Sequence, residues 1–474
     1  MTATPTRTAL EPSPRLGFVL VALGVGAIAS ILDSTIVNVA IDHLATVFHA
    51  GLASTQWVIT GFLLAMAAVV PLSGWLMDRI GARRTWILAL SVFLAGSVLC
   101  GAAWNLPSLI VFRVLQGTGA GLILPVLMAL MTREAGRDRL MTAMGGFSLI
   151  VQVGPVLGPV VGGALIEGAD WRWMFLANIP FCIAGMLLAP RALQPDPPQT
   201  GVRRLDAVGA VLLAPAMVAL VYAFARIAPG HGLSQPDVWI PAAAALVLVA
   251  GFIGWSLHAG DAALIDVRLF ARRGFALTNL ISIALGFTMF GGMLLLPLYF
   301  QVLHRSSVLQ AGLLMVPQGI GAAAVILGGK RVLAPMTPRA RMVLGFAVMA
   351  MGTVPFAIPS LRDATPLLMV ALTVRGAGIG LATPTLNALA VADLAPTELA
   401  RGTTAFNIVQ RIGAPFGTTV LAVVLANSQA AHPATFSGHA AAFATAFWWS
   451  IGATVIPIVL AAMLPGRRPP RSRS

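Results

Sequence analysis

From Leu16 onward the chain alternates between apolar runs and short polar connectors. Each run is about 20 residues long, enough to cross the hydrocarbon core of a bilayer as a helix. The runs fall near residues 16–40, 56–77, 85–103, 107–131, 140–166, 173–190, 205–225, 237–257, 275–300, 308–329, 341–359, 366–390, 402–426 and 441–465. The pattern therefore predicts an all-α polytopic membrane protein with fourteen transmembrane helices. No A-x-A cleavage site follows the first run, which is read as a permanent helix rather than a signal peptide.

One stretch is written twice. Gln116 to Leu130 reads QGTGAGLILPVLMAL and Arg375 to Leu389 reads RGAGIGLATPTLNAL, with eight of fifteen positions identical at an offset of 259 residues. The same offset carries Phe147, Gly154 and Gly158 onto Phe406, Gly413 and Gly417. Spans 4 and 5 thus match spans 12 and 13, and six-helix halves leave two spans over. The layout is a tail (1–15), a six-helix bundle (16–190), a Pro-rich linker (191–204), an inserted hairpin (205–257), a second linker (258–274) expected along the membrane surface, a second bundle (275–465) and a basic tail (466–474). Duplicated halves of this kind build secondary transporters that handle substrate near the midplane.

Composition narrows the reading. At 58% hydrophobic and 10% charged, the chain lacks the polar surface of a soluble protein of 474 residues. Its net charge of +14 would suggest nucleic acid, but placement argues otherwise. Of the 30 Lys and Arg residues, 23 fall on the side shared by the two termini, four on the other, and three within spans. That is the positive-inside bias, so both termini are expected in the cytoplasm. Cys100 and Cys182 lie in or at the ends of spans, as small apolar packing residues would. The seven histidines fall in loops or at span ends, which weakens a histidine relay or an intramembrane metal centre. No G-x-x-x-x-G-K-[ST] loop is present, leaving an ion gradient as the energy source.

Span 1 contains LDSTIVNVAI, and its Asp33 is the one acid placed deep within any span. A carboxylate there can bind and release a proton as access alternates; the alternative is a structural Asp paired to an arginine. Arg113, in span 4, either sets that proton release by its fixed charge or snorkels outward. In the second half Arg375 and Arg411 occupy the repeat positions of Gln116 and Gln152. With no acid deep in that half, Arg411 either pairs across the axis with Asp33 or lines an aqueous cavity, and the cavity is favoured. Asp33, Gln152, Gln318, Arg375, Asn407, Gln410 and Arg411 are the candidates to line it, and Asn387 is a further polar group on a span.

Gating is expected at two places. The connector GWLMDRIGARR has Gly74 and Gly81 where the chain reverses, with Asp78, Arg79, Arg83 and Arg84 as its charges. Asp78 and Arg79 are expected to latch onto neighbouring helix ends; the plainer reading is a charged hairpin that fixes topology. In span 5, GPVLGPVVGG puts Gly154, Gly158 and Gly162 on one helix face beside Gly163, while Pro155 and Pro159 bend the helix. Trp171 to Pro180, WRWMFLANIP, is expected to anchor span 6 at the outer interface through its tryptophans.

The connector resembles the G-x-x-x-D-R-x-G-R-R signature of the major facilitator superfamily, and RVLQGTGAGLILP resembles its fourth-helix motif. The span 5 segment looks like the antiporter signature G-x-x-x-G-P-x-x-G-G. LDSTIVNVAI is similar to the LD-x-T-I-V-N-V-A-L-P run of the fourteen-helix drug:proton antiporters of EmrB/QacA type, with Ile41-Asp42 where that family has Leu-Pro. The resemblance implies proton-driven export of small lipophilic or amphiphilic compounds by a monomer in a bacterial inner membrane. It implies protons as the coupling ion, no other cofactor, no metal and no catalytic residues. Partners are then the substrate and membrane lipids, not nucleic acid. A lipid exporter is the alternative, and a polytopic membrane enzyme the weakest reading.

Overall fold

The computed structural model describes residues 16–136, 139–168, 170–196, 205–226, 235–260, 263–329, 335–395, 398–432 and 435–464; the side chains at 38–39, 41–42, 52–53, 152–156, 159, 163, 166–168, 225, 308 and 400 are excepted. Among the described residues every regular element is a helix. The long ones are α1 (Leu16–Val39), α2 (Trp57–Ile80), α3 (Ala82–Gly101), α4 (Leu106–Ala135), α5 (Leu140–Gly168), α6 (Trp173–Ala192) and α7 (Ala207–Arg226). They continue with α8 (Pro236–Ala259), α9 (Arg273–Leu303), α10 (Leu309–Gly328), α11 (Pro338–Thr353), α12 (Thr365–Ala392), α13 (Leu399–Ala431) and α14 (Phe436–Ala462). Thirteen of these are long and apolar enough to span a membrane over described residues. At 29 residues, α5 supplies the fourteenth. Helices α4 and α13 run past the apolar stretches because polar residues such as Arg133, Glu134 and Asn427 continue the same helix beyond the bilayer segment.

The repeat is structural as well as textual. The 259-residue offset carries Leu106 and Leu140, which open α4 and α5, onto Thr365 and Leu399, which open α12 and α13. Packing follows suit: α1 lies against α5, and α4 against α2 and α3, just as α9 lies against α13, and α12 against α10 and α11. The alternate glycines explain how one helix takes two neighbours so closely. A Cβ at Gly117 or Gly121 would overlap the carbonyls of Phe62 or Met66 on α2, while one at Gly119 would meet the backbone of Phe93 on α3. In the second copy Gly376 and Gly380 face Gln318 and Ala322 on α10, and Gly378 faces Met349 on α11. In a lipid solvent this close backbone contact, rather than water exclusion, holds helices together.

Helices α7 and α8 pair with each other as a hairpin, and α7 rests against α2 and α13 while much of α8 is exposed. The base of the hairpin is tied to the second linker by Asp206, which accepts from Trp255 Nε1 and the Leu264 amide, both at 2.8 Å. Leu264, Ile265 and Leu269 are buried, and Ser256 donates to the Ile265 carbonyl at 2.7 Å.

Candidate functional site

Asp33 sits where α1, α3, α4 and α6 converge, and it is 0% exposed. Its Oδ2 accepts from Arg113 Nη1 at 2.6 Å, and its Oδ1 accepts from Gln116 Nε2 at 3.0 Å and Asn178 Nδ2 at 3.1 Å. Each amide has a second N–H, and both reach Ser97 Oγ, at 2.7 and 3.3 Å. Arg113 is anchored in turn by Gln116 Oε1 at 2.7 Å, the Val58 carbonyl at 3.2 Å and the face of Phe62 at 4.0 Å. The carboxyl is thus an acceptor surrounded by donors, one of them a cation. Arg113 does not snorkel. It is 1% exposed and is the carboxylate's ion-pair partner.

The second half is built on cations instead. Arg375, at the repeat position of Gln116, is also 1% exposed. It donates to Gln318 Oε1 and, at 3.1 Å, to the Thr288 carbonyl. Arg411, on α13, is half-buried, and its Nε and Nη2 are buried without a hydrogen-bond partner. It does not pair with Asp33, whose oxygens are taken from within the first half.

The halves meet toward the ends of their helices that carry Arg83, Arg84 and Arg133, here termed the basic face. Ser73 Oγ on α2 lies 3.0 Å from Thr404 Oγ1 on α13. Asn387 on α12 donates to Ser148 on α5 at 3.3 Å, and Asn407 Nδ2 approaches the sulfur of Met128 on α4 at 3.8 Å. One seam between the halves is formed by α5 against α10 and α12. At the other, α13 touches α2 and α4 near the basic face, and α7 fills the remainder. There Thr419 donates to the Phe224 carbonyl at 3.3 Å, Phe416 stacks near Phe224 at 5.9 Å, and Tyr222 lies 6.2 Å from Trp57.

On the basic face the α2–α3 connector is held from an unexpected direction. Gly81 takes φ +92°, open to glycine, and a Cβ there would overlap the Asp196 carboxylate. Asp196 accepts from the Arg83 and Arg84 amides at 3.0 and 3.2 Å, capping α3, and from Arg133 Nη1 at 3.0 Å. Arg133 also bonds Glu134 at 3.1 Å. The side chains of Arg79 and Arg84 are exposed, and Arg79 makes no latch to a helix end among the described residues. Asp78 is engaged, and Gly74 is buried within α2. In the second half, Arg272 and Glu398 pair at 2.7 Å at the foot of α9 and α13. The Arg272 guanidinium holds the Glu398 carboxyl below its ordinary range, and Glu398 pushes Arg272 up.

Among the remaining candidates, a Cβ at Gly158 would overlap Thr35 Oγ1, and one at Gly162 would sit 3.4 Å from Ile36, so this face of α5 lies directly on α1. Gln152, Gly154, Pro155, Pro159 and Gly163 lie outside the described residues as far as their side-chain environment is concerned. Gln318 is spent on Arg375, while Asn407, 4% exposed, donates to the Thr403 carbonyl at 2.8 Å. Gln410 is half-buried. Asp33 and Arg375 are both closed to solvent, at 0% and 1% exposure. Trp171 is not an interface anchor: it is buried between Phe48 and Phe175, at 5.2 and 6.1 Å, and it is Trp173 that points outward.

Sequence reasoning passed over Gln116, Ser97, Asn178 and Asp196 as site residues. Gln116 stands three residues after Arg113, hence on the same helix face, a signal that was available. Asn178 is a polar residue inside an apolar span and Asp196 an acid in a basic linker; neither spacing points to its partner.

The profile of the Major Facilitator Superfamily matches residues 23–418. The multidrug resistance protein B homolog of Mycobacterium tuberculosis (strain ATCC 25618 / H37Rv) is 35% identical over 408 residues, covering 85% of this chain and 75% of that protein. The putative multidrug resistance protein MdtD of Pectobacterium atrosepticum is 32% identical over 449 residues, 93% of each chain. Among solved structures, the proton:xylose symporter XylE superposes with a TM-score of 0.65 at 13% identity, covering 95% of this chain and 96% of that one, a likeness of fold. Together with the helical architecture and the duplicated halves, these matches place the chain in the major facilitator superfamily, among its fourteen-helix drug:proton antiporters.

Proposed function

We propose that this chain exports small lipophilic or amphiphilic compounds from the cytoplasm in exchange for protons, as a monomer in a bacterial inner membrane. The observation that carries the reading is Asp33, a carboxylate buried at the junction of four helices and held by three donors from two of them. Both of its oxygens are already occupied by these donors, so proton uptake requires α1 and α6 to part from α3 and α4. Alternating access supplies such a movement, and a proton taken from one side is released to the other when the cluster re-forms. The names of the relatives support drugs as the cargo. The positive-inside rule assigns the basic face, and with it both termini, to the cytoplasm. A lipid exporter would want a lateral opening between the halves, and α7 fills the α2–α13 seam where one would lie.

The test is transport in vesicles containing the purified protein and a trapped pH indicator. Adding lipophilic drugs under an imposed pH gradient should drive drug movement and proton movement in opposite directions. Drug movement that ignores the pH gradient would overturn proton antiport.

A further inference from the structure

We infer that Arg411 is an anion subsite of the central cavity, where it receives the carboxylate, phosphate or sulfonate group of a transported amphiphile. The inference rests on the exporter reading and specifies its substrate class. Three positions on α13 carry it. Thr404, Asn407 and Arg411 follow one helical stripe at spacings of three and four residues. The first two face the other half of the molecule, through Ser73 and Met128. Gly413, on the opposite side of the helix, is pressed against Ile283 of α9. Arg411 therefore points, one turn farther from the basic face, into the space between the halves. It lies twelve residues into α13, about 18 Å along the axis, within a hydrocarbon core about 30 Å thick.

A guanidinium has five donors and always carries its charge. Here two of its nitrogens are buried without an acceptor. The acids that might answer it are elsewhere. Asp33 is surrounded by its own half, and the described acids of the second half, Asp363, Asp393 and Glu398, lie outside α9–α14 at helix ends. Arg375 differs, since Gln318 and the Thr288 carbonyl occupy it. Buried guanidinium nitrogens lacking an acceptor are costly to keep, and a planar anion that accepts two parallel N–H bonds removes the cost. A substrate bearing such a group would gain affinity there that its neutral analogue lacks.

The test compares dansylaminoundecanoic acid with its methyl ester, binding to the full-length protein in phosphatidylcholine nanodiscs. The wild type should bind the acid at least about tenfold tighter than the ester. Arg411→Gln should erase the preference and Arg411→Lys should keep part of it. Equal binding of acid and ester by the wild type would overturn the inference, a comparison that needs no variant to fold. So would a preference that survives Arg411→Gln, which would place the anion on the arginines of the basic face. Binding of neither compound, by protein that still moves neutral drugs, would also overturn it and leave the exporter reading standing. In a second arm, added phosphatidylglycerol that competes with the acid in the wild type but not in Arg411→Gln would identify a lipid headgroup as a natural occupant. Absence of competition would assign the subsite to soluble amphiphiles.

Discussion

The two halves of this protein share a scaffold and differ in what they bury on it. In the first, a carboxylate takes three side-chain donors and leaves none of its own oxygens idle. In the second, the helices and close-packed glycines recur at the same offset, yet the buried charges are Arg375 and Arg411, with no described acid among them. Duplication has preserved the parts that set distances between backbones. The polar side chains were free to diverge, because a helix contact made through glycine does not depend on them. The buried carboxylate thus belongs to one half, with an arginine paired to it, and arginines without a carboxylate belong to the other.

Breaking the first half should have the largest effect. Asp33→Asn is expected to reduce pH-driven drug movement to that of empty vesicles, and to cost about 3–5 kcal/mol because Arg113 loses its counter-charge. Adding Arg113→Gln should recover much of that stability in thermal unfolding without recovering transport. Wild-type transport by Asp33→Asn would remove the contrast between the halves.

Gly158→Leu attacks the scaffold rather than the chemistry. The new side chain overlaps Thr35 and drives α5 from α1, an overpacking of about 1–3 kcal/mol. Exchange between inward- and outward-facing states should slow severely, as read by spin-label distances across the end opposite the basic face. Distances and rates like those of the wild type would show that this contact is dispensable.

Arg375→Gln makes the second half resemble the first at that position. Proton-coupled transport should persist, with a stability loss of about 1 kcal/mol from the bonds to Gln318 and Thr288. Loss of proton coupling in this variant would move the titrating machinery into the second half. Glu398→Gln should have the smallest effect, at most about 1 kcal/mol for an ion pair this exposed. Because Arg272 lowers the Glu398 pKa, the pair contributes fully above the ordinary carboxylate range and is lost as pH falls through the lowered value. Thermal unfolding of the variant should therefore depend less on pH on the acid side, and an unchanged profile would show that the pair contributes nothing.

The helices were legible in the sequence because the bilayer fixes their length and polarity, and the repeat made the halves legible as well. Asp33 and Arg113 were visible as charges in apolar runs. Their pairing was one of two readings, since depth alone does not say which faces of α1 and α4 meet. Asp196 was hidden for a different reason. Its partners are backbone amides of Arg83 and Arg84, and backbone groups carry no letter in a sequence. The Ser73–Thr404 contact was hidden because two hydroxyls 331 residues apart are individually commonplace.

The alternate glycines of α4 have a mechanical consequence. A helix seated backbone to backbone on α2 through Gly117 and Gly121, and on α3 through Gly119, has no slack on either side. The three helices are stiff as a plate, and a lever of that kind moves whole or not at all. The Asp33 cluster spans the edge of the plate: Ser97, Arg113 and Gln116 belong to it, whereas Asp33 and Asn178 ride on α1 and α6. Slip along that edge must shear those bonds together, so one carboxylate is the bolt between the plate and the two helices beside it.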